Sequence, residues 1–394
     1  MHKTILVINS GSSSIKFSLL DRENHEVVIS GLAEELGGPS ARVNFKQDGK
    51  KDEESLNGGD HEVAMARIMD ELDKRGLRDS IVAVGHRIVH GGEKFKHSQL
   101  IDDEVLAGIE EAIPYAPLHN PAHVVGIKAT RKLMPELPEV AVFDTAFHQT
   151  MPDYAYRYAV PTEWYENYGV RRYGAHGTSH RYVAQEAAKL LEIPLEDSAF
   201  VIAHLGNGAS LTAVLNGESV DTTMGFTPLE GISMGTRSGD IDPAVLPYMM
   251  DKLDVDAKEI VNILNKKSGH LGVSGLSSDM RELEEAADKG DEKAKLAIDI
   301  FAFRAAKFIG ALMTSLPRVD AIVFTAGVGE NSSTMRQLIV DRLKVFGYEL
   351  DEDANQDMVR GQAGIISDPA SPVVMVINTN EELMIAIDTD ELTK

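Results

Sequence analysis

Cysteine is absent from the 394-residue chain. Its absence excludes disulfides, iron–sulfur clusters and thiolate zinc sites, and it suits a reducing compartment. Positive charge is short as well: 39 Lys and Arg against 62 Asp and Glu leave a formal net charge of −23. Such a chain repels nucleic acids and anionic membranes unless cations are concentrated locally, and no Lys/Arg block concentrates them. No apolar run approaches the roughly 20 residues that span a bilayer. Residues 1–10 carry one lysine and a short apolar run before a Ser/Gly stretch, which reads as a buried strand and not as a secretory leader. A P-loop is missing, kinase catalytic-loop signatures are missing, and Gly327-Val328-Gly329 lacks the third glycine of a dinucleotide fingerprint. The expected setting is the cytoplasm, with neither nucleic acid nor membrane as a partner.

What the chain does have is length and a 43% apolar content, enough for substantial cores and for two or three domains. It also has three widely spaced glycine-rich turns, at residues 9–14, 204–208 and 327–331, each entered from a run of β-forming residues. Glycine lets backbone N–H groups close on an anion, so several such turns suggest a polyphosphate gripped from different parts of one fold. That points to a nucleotide-dependent phosphotransferase. Taken singly, each turn reads as a plain hairpin or a strand-to-helix corner.

The pattern predicts a hairpin of residues 4–8 and 15–20 around the first turn, and another around Asp48-Gly49. A helix over residues 62–74 follows, with Val63, Ala66, Ile68, Met69 and Leu72 on its inner face and Gly76 at its end. A strand at 81–84 leads into Gly85-His86-Arg87. Residues 199–205 and 210–215 repeat the opening hairpin, closed by Asn216-Gly217, which suggests a structural duplication. Helices are expected at 281–289 and 292–315, a strand at 320–325, a turn at 326–330, an amphipathic helix at 332–346 and a last strand at 373–377. No low-complexity linker separates domains, so they are expected to meet across a cleft.

Polar residues in unlikely places mark candidate chemistry. Asn9 ends a buried strand, and Lys16 interrupts the apolar alternation of the next; both suit a ligand, or else a turn-forming Asn and an edge lysine. Residues 85–95, 173–180 and 234–240 each set Arg or His among glycines and other small residues. A glycine-flanked Arg is usually a loop residue paired with a surface carboxylate, but three such patches are harder to dismiss. His176 and His180 stand four apart, yet the Glu of a His-Glu-x-x-His zinc helix is missing.

The segments Asn9-Ser10-Gly11-Ser12-Ser13-Ser14, 85–95, Ala116-Pro117-Leu118-His119-Asn120-Pro121, Phe143-Asp144-Thr145, His176-Gly177-Thr178-Ser179-His180, 204–208, 225–231, Gly235-Thr236-Arg237, 327–331 and Thr379-Asn380-Glu381-Glu382-Leu383 together resemble the acetate kinase family, in consistent order from residue 4 to about 387. The resemblance implies an α/β fold of duplicated βββαβαβα domains, ribonuclease H-like and of the actin-type ATPase kind, flanking a nucleotide cleft. Its first domain would comprise residues 1–149 plus about 383–394, and its second residues 150–382, with the ATP site and a homodimer interface. The implied activity is reversible in-line transfer of the ATP γ-phosphoryl group to acetate.

By the same resemblance, Arg87 would hold the acetate carboxylate, with Val89, Leu118 and Pro228 around the methyl group. His176 and Arg237 would stabilise the phosphoryl group in flight, and Asp144 matches the family's catalytic acid residue. Asn9 and Glu381 would organise Mg²⁺, with Mn²⁺ as the alternative, while Ser12 and Lys16 approach the phosphates. His204, Leu205, Gly206, Asn207 and Gly208, then Gly327, Val328, Gly329, Glu330 and Asn331, would line the ATP groove, and Asp279, Met280 and Arg281 would lie beside the nucleoside. Two positions depart from the family pattern: Ala175 stands where Phe is usual before the catalytic histidine, and Asn378 where Pro is usual. The first leaves propionate or another short-chain acid as an alternative acceptor. A sugar kinase would need Asp144 as a base for a hydroxyl acceptor, and a chaperone-like ATPase would need no acceptor clamp at all.

Overall fold

In the computed structural model, which describes residues 3–394, Thr4–Gly11 (β1) and Ser14–Asp21 (β2) form the expected hairpin, with Gly11 opposite Ser14 and Ser12-Ser13 at the tip. Val27–Glu34 (β3), Arg42–Gln47 (β4) and Lys50–Ser55 (β5) extend it antiparallel. Asp48 and Gly49 both take positive φ, 50° and 75°, as a two-residue turn matched to strand twist requires. On the other side of β1, Ile81–Ile88 (β6) and Glu139–Phe143 (β8) run parallel, with Gln99–Leu100 (β7) at the edge, giving the order β5-β4-β3-β2-β1-β6-β8-β7.

This sheet belongs to a unit made of Met1–Gln149 and Asn380–Lys394. Successive side chains of β1 point to opposite faces, and both faces are apolar. Leu6 and Ile8 join the core under the helix His61–Lys74, while Ile5 and Val7 meet Ile385 and Ala386 of the last helix, Glu381–Leu392. That helix lies so close that a Cβ at Gly85 would come within 2.3 Å of Thr389 Oγ1. The helix His61–Lys74 buries Ala64, Met65, Ile68, Met69 and Leu72, whereas Val63, expected inside, is 47% exposed. Residues 65, 68, 69 and 72 share one face at 3.6 residues per turn; position 63 falls about 200° away from 65.

The second unit, Thr150–Thr379, repeats the pattern. Ala199–Leu205 (β9), Ala209–Leu215 (β10) and Glu218–Thr222 (β11) are antiparallel, and Ala321–Thr325 (β12) and Val374–Val376 (β14) continue parallel, with Gly364–Ile365 (β13) at the edge. The order β11-β10-β9-β12-β14 has the same directions as β3-β2-β1-β6-β8, the duplication the hairpins suggested. The long helix Glu292–Met313 packs Ala297, Phe301, Ala305, Ile309 and Leu312 into this core, each large apolar side chain contributing roughly 1.5–3 kcal/mol.

Two further expectations need correction. Residues 326–331 are not an open turn but a short helix, Ala326–Asn331, started by Ala326 at φ 64°. The helix expected over 332–346 spans Ser333–Val340, after which Asp341–Phe346 tightens into 3₁₀ geometry and stops at Gly347. Among the described residues, no helix is long and apolar enough to cross a membrane.

Candidate active site

In the first unit, parallel strands β6 and β8 end side by side, which brings together two residues far apart in sequence. Arg87 Nε lies 3.1 and 3.2 Å from the two Asp144 oxygens, and Nη2 lies 2.7 Å from Oδ2. Asp144 follows β8 directly, its N–H donating to Ile88 O at 2.8 Å, and it is 1% exposed. Burial pushes its carboxyl upward and the Arg87 guanidinium opposes the rise, with Glu381 adding to it. Burial also works against the Arg87 charge, but Asp144 and Glu381 outweigh that and raise its pKa. Guanidinium keeps its proton in proteins, and its fork meets both oxygens, so the pair is ionic.

Glu381 opens the last helix, with Oε2 buried, 3.6 Å from Arg87 Nη2, and without a hydrogen-bond partner. Asn9 and Lys16 are opposite each other across β1 and β2, and Lys16 pairs with Glu382. Ser12 is exposed at the hairpin tip. Val89 is buried beyond β6, and Leu118 is 43% exposed. Sequence reasoning passed over His123, buried in the helix Asn120–Leu133; burial, and then Arg87, pushes its pKa down to about 3, so it stays neutral.

The second unit gathers histidines. His176, at φ 55°, caps the helix Gly177–Leu190, and its ring stacks on that of His204 at 4.1 Å and 19°. Nδ1 of His176 lies 2.9 Å from Ser210 Oγ. His204 Nδ1 lies 2.8 Å from Ser179 Oγ, which in turn is 2.7 Å from Thr379 Oγ1. A Cβ at Gly208 would be 3.5 Å from both His176 Nε2 and Arg237 Nη1, so the missing side chain leaves an opening flanked by an imidazole and a guanidinium. Arg237 Nη1 donates to Pro228 O at 3.2 Å; among the described residues no carboxylate pairs with it, and burial lowers its pKa.

Beside this opening lies a cavity of about 810 Å³. Of the residues singled out from sequence, Gly206, Asn207, Asp279, Met280, Arg281, Gly327, Val328 and Asn331 line it. His270, Ser278, Glu284, Ser332 and Arg360 line it too and were not singled out. No short motif marks them, because they reach the cavity from a helix interior, a cap and a distant loop. His204 faces His176 instead, Leu205 is core, and Gly208 lies under the His176–Arg237 opening. Gly329 is buried, and Glu330 is used internally: Oε1 accepts from the N–H of Ala326 at 2.8 Å and of Thr379 at 2.9 Å.

A cavity walled by glycine segments, an opening whose arginine has no carboxylate partner among the described residues, and an ionic Arg–Asp pair at paired strand ends are the equipment of a phosphoryl-transfer enzyme of the mixed α/β class. The chain belongs to the acetokinase family, whose model matches residues 4–387. The acetate kinase of Chromobacterium violaceum is 54% identical over 100% of this chain and 99% of its own length. Among solved structures, the acetate kinase of Porphyromonas gingivalis has a TM-score of 0.93 at 44% identity and covers 100% of both chains. A propionate kinase of Francisella tularensis has a TM-score of 0.96 at 46% identity, covering 99% of this chain and 100% of its own.

Proposed function

We propose that this enzyme transfers the γ-phosphoryl group of ATP reversibly to acetate, giving acetyl phosphate and ADP. The observation that carries the reading is the opening over Gly208, flanked by His176 Nε2 and by an Arg237 guanidinium that has no carboxylate partner among the described residues. Acetate is ionised at neutral pH, so no base is needed before attack. The obstacle is an anion approaching a phosphoryl group whose oxygens share negative charge. Positioned cations lower that barrier, and in this reading Arg237 and His176 take the phosphoryl oxygens while Arg87 takes the carboxylate. Asp144 then works through Arg87, whose guanidinium it holds by the three contacts given above. Val89, Leu118 and Pro228 are assigned to the methyl group.

The cavity beside Asn207 and Val328 is assigned to the nucleoside, and binding of the phosphates is assigned to Ser12 and Lys16. A divalent cation fits the first unit: Glu381 Oε2 is a buried carboxylate oxygen without a hydrogen bond, and Asn9 offers an amide oxygen. Mg²⁺ prefers such hard donors and keeps most of its waters, so two protein ligands suffice; bound there, it would neutralise polyphosphate charge. Unit boundaries at 149/150 and 379/380 are taken as the domain division, which places Glu381 with the first domain. A second copy of the chain is assigned to the helix Val245–Leu253, which buries none of its residues and leaves Tyr248 61% and Leu253 48% exposed.

The test is ATP consumption against a panel of short carboxylic acids, with hydroxylamine trapping the acyl phosphate. Acid-dependent hydroxamate is expected, with acetate the better substrate. ATP hydrolysis indifferent to added acid would overturn the proposal. Propionate is the second reading, favoured by Ala175, a small residue directly before His176.

A further inference from the structure

We infer that Ser210, itself held by His180, fixes the tautomer and orientation of His176 so that its Nε2 carries the proton presented over Gly208. The inference rests on the role given to His176 in the proposed function. His176 Nδ1 and His180 Nε2 both lie 2.9 Å from the same Ser210 Oγ. The two histidines are four residues apart at the start of one helix, so their rings reach one point on the facing strand β10.

A hydroxyl has one proton to give and accepts with its lone pairs. With an imidazole nitrogen on each side, one ring must take the Ser210 proton and the other must supply its own. Which ring does which follows from charge. Arg237 Nη1 and His176 Nε2 each lie 3.5 Å from the position a Gly208 Cβ would take, and among the described residues no carboxylate pairs with Arg237, so its positive field works against a second proton on that imidazole. A neutral His176 can meet a phosphoryl oxygen only with N–H at Nε2. Nδ1 is then the acceptor for Ser210 O–H, and Ser210 in turn accepts from His180 Nε2–H. Every proton in the chain from His180 through Ser210 to His176 is thereby assigned. Ser210 and His180 are both 0% exposed, so water does not compete for these bonds, and the His204 ring stacked on His176 fixes the plane.

Ser210 and His180 are therefore positioning residues, and the test needs a readout that a purely structural role would leave alone. In ¹⁵N-histidine-labelled protein, with the His176 signals assigned through His176→Gln, Nδ1 should resonate as a bare acceptor and Nε2 as protonated at pH 7.5. Proton on Nδ1, or on both nitrogens, would overturn the inference without any positioning variant. Ser210→Ala should lower kcat by about tenfold to a hundredfold, with KM for ATP and acetate within about threefold. His180→Leu should do the same, and His180→Gln, whose amide can still donate to Ser210, should recover most of that loss. An unchanged kcat in Ser210→Ala would overturn the inference. Full turnover in His176→Ala would instead remove the phosphoryl-stabilising role on which the inference rests.

Discussion

Replacing Arg336 with methionine should destabilise the second unit by about 3–5 kcal/mol. Arg336 is 0% exposed and has no carboxylate partner among the described residues. Its Nε donates to Asn355 Oδ1 at 2.8 Å, Nη1 to Gly329 O at 2.8 Å, and Nη2 to Asn355 O at 2.6 Å and Met358 O at 2.9 Å. Burial pushes its pKa down to about 10, still well above neutrality, so the donor is a cation throughout the working range. Methionine replaces the aliphatic stem and donates nothing. Three of the four bonds are fully buried, and an orphaned buried acceptor costs roughly 1–3 kcal/mol, or about 3–9 kcal/mol together. Relief of the desolvated cation offsets the upper part of that range. Lysine, a point charge with fewer directions, should fall between the two. Urea unfolding followed by Trp164, the single tryptophan and part of the second unit, reads this unit without assuming that both melt together. A change below about 1 kcal/mol would refute the reasoning, because it would mean the carbonyls find water once the guanidinium is gone. Gly329 belongs to the short helix bordering the cavity proposed for the nucleoside, so KM for ATP should rise in the same variant.

Arg237→Ala should lower kcat by about 10³-fold with smaller changes in KM, the scale of arginine charge stabilisation in phosphoryl transfer, and a near-normal turnover number would remove Arg237 from the mechanism. Acid stability should show the buried neutral histidines. Burial holds His270 at about 4 and His123 at about 3, against an ordinary 6.5. Between those values the unfolded chain binds protons that the folded one refuses, so stability is full above pH 6.5 and declines as pH falls toward 4. His270→Leu should flatten that limb in denaturation curves at pH 7, 5.5 and 4.5; an equal loss in both proteins would contradict the assignment. Ala175→Phe should raise the acetate-to-propionate ratio of kcat/KM, since one extra buried CH₂ is worth roughly 0.8 kcal/mol where there is room for it. An unchanged ratio would show that neighbouring side chains already fill the space around Ala175.

Local pattern determined much of this protein without coordinates. The Asn9–Lys16 hairpin, the Asp48-Gly49 turn and the 199–215 repeat were legible because turn chemistry and a two-residue period act between neighbours in sequence. Family motifs named Arg87, Asp144, His176 and Arg237 by position, but not what each touches. Only the tertiary structure decided that Arg87 grips Asp144, because the register of β6 against β8 depends on packing across 57 residues of chain. It also decided that His180, which sequence could weigh only as a zinc ligand, shares Ser210 with His176, and that Glu330 is spent holding Thr379. On the helix His61–Lys74, Val63 lies on the face opposite Met65, Ile68, Met69 and Leu72 and stays exposed, because an apolar side chain is buried only where the sheet covers its face. Periodicity records which residues can be buried, whereas long-range contact alone selects the partner each one meets.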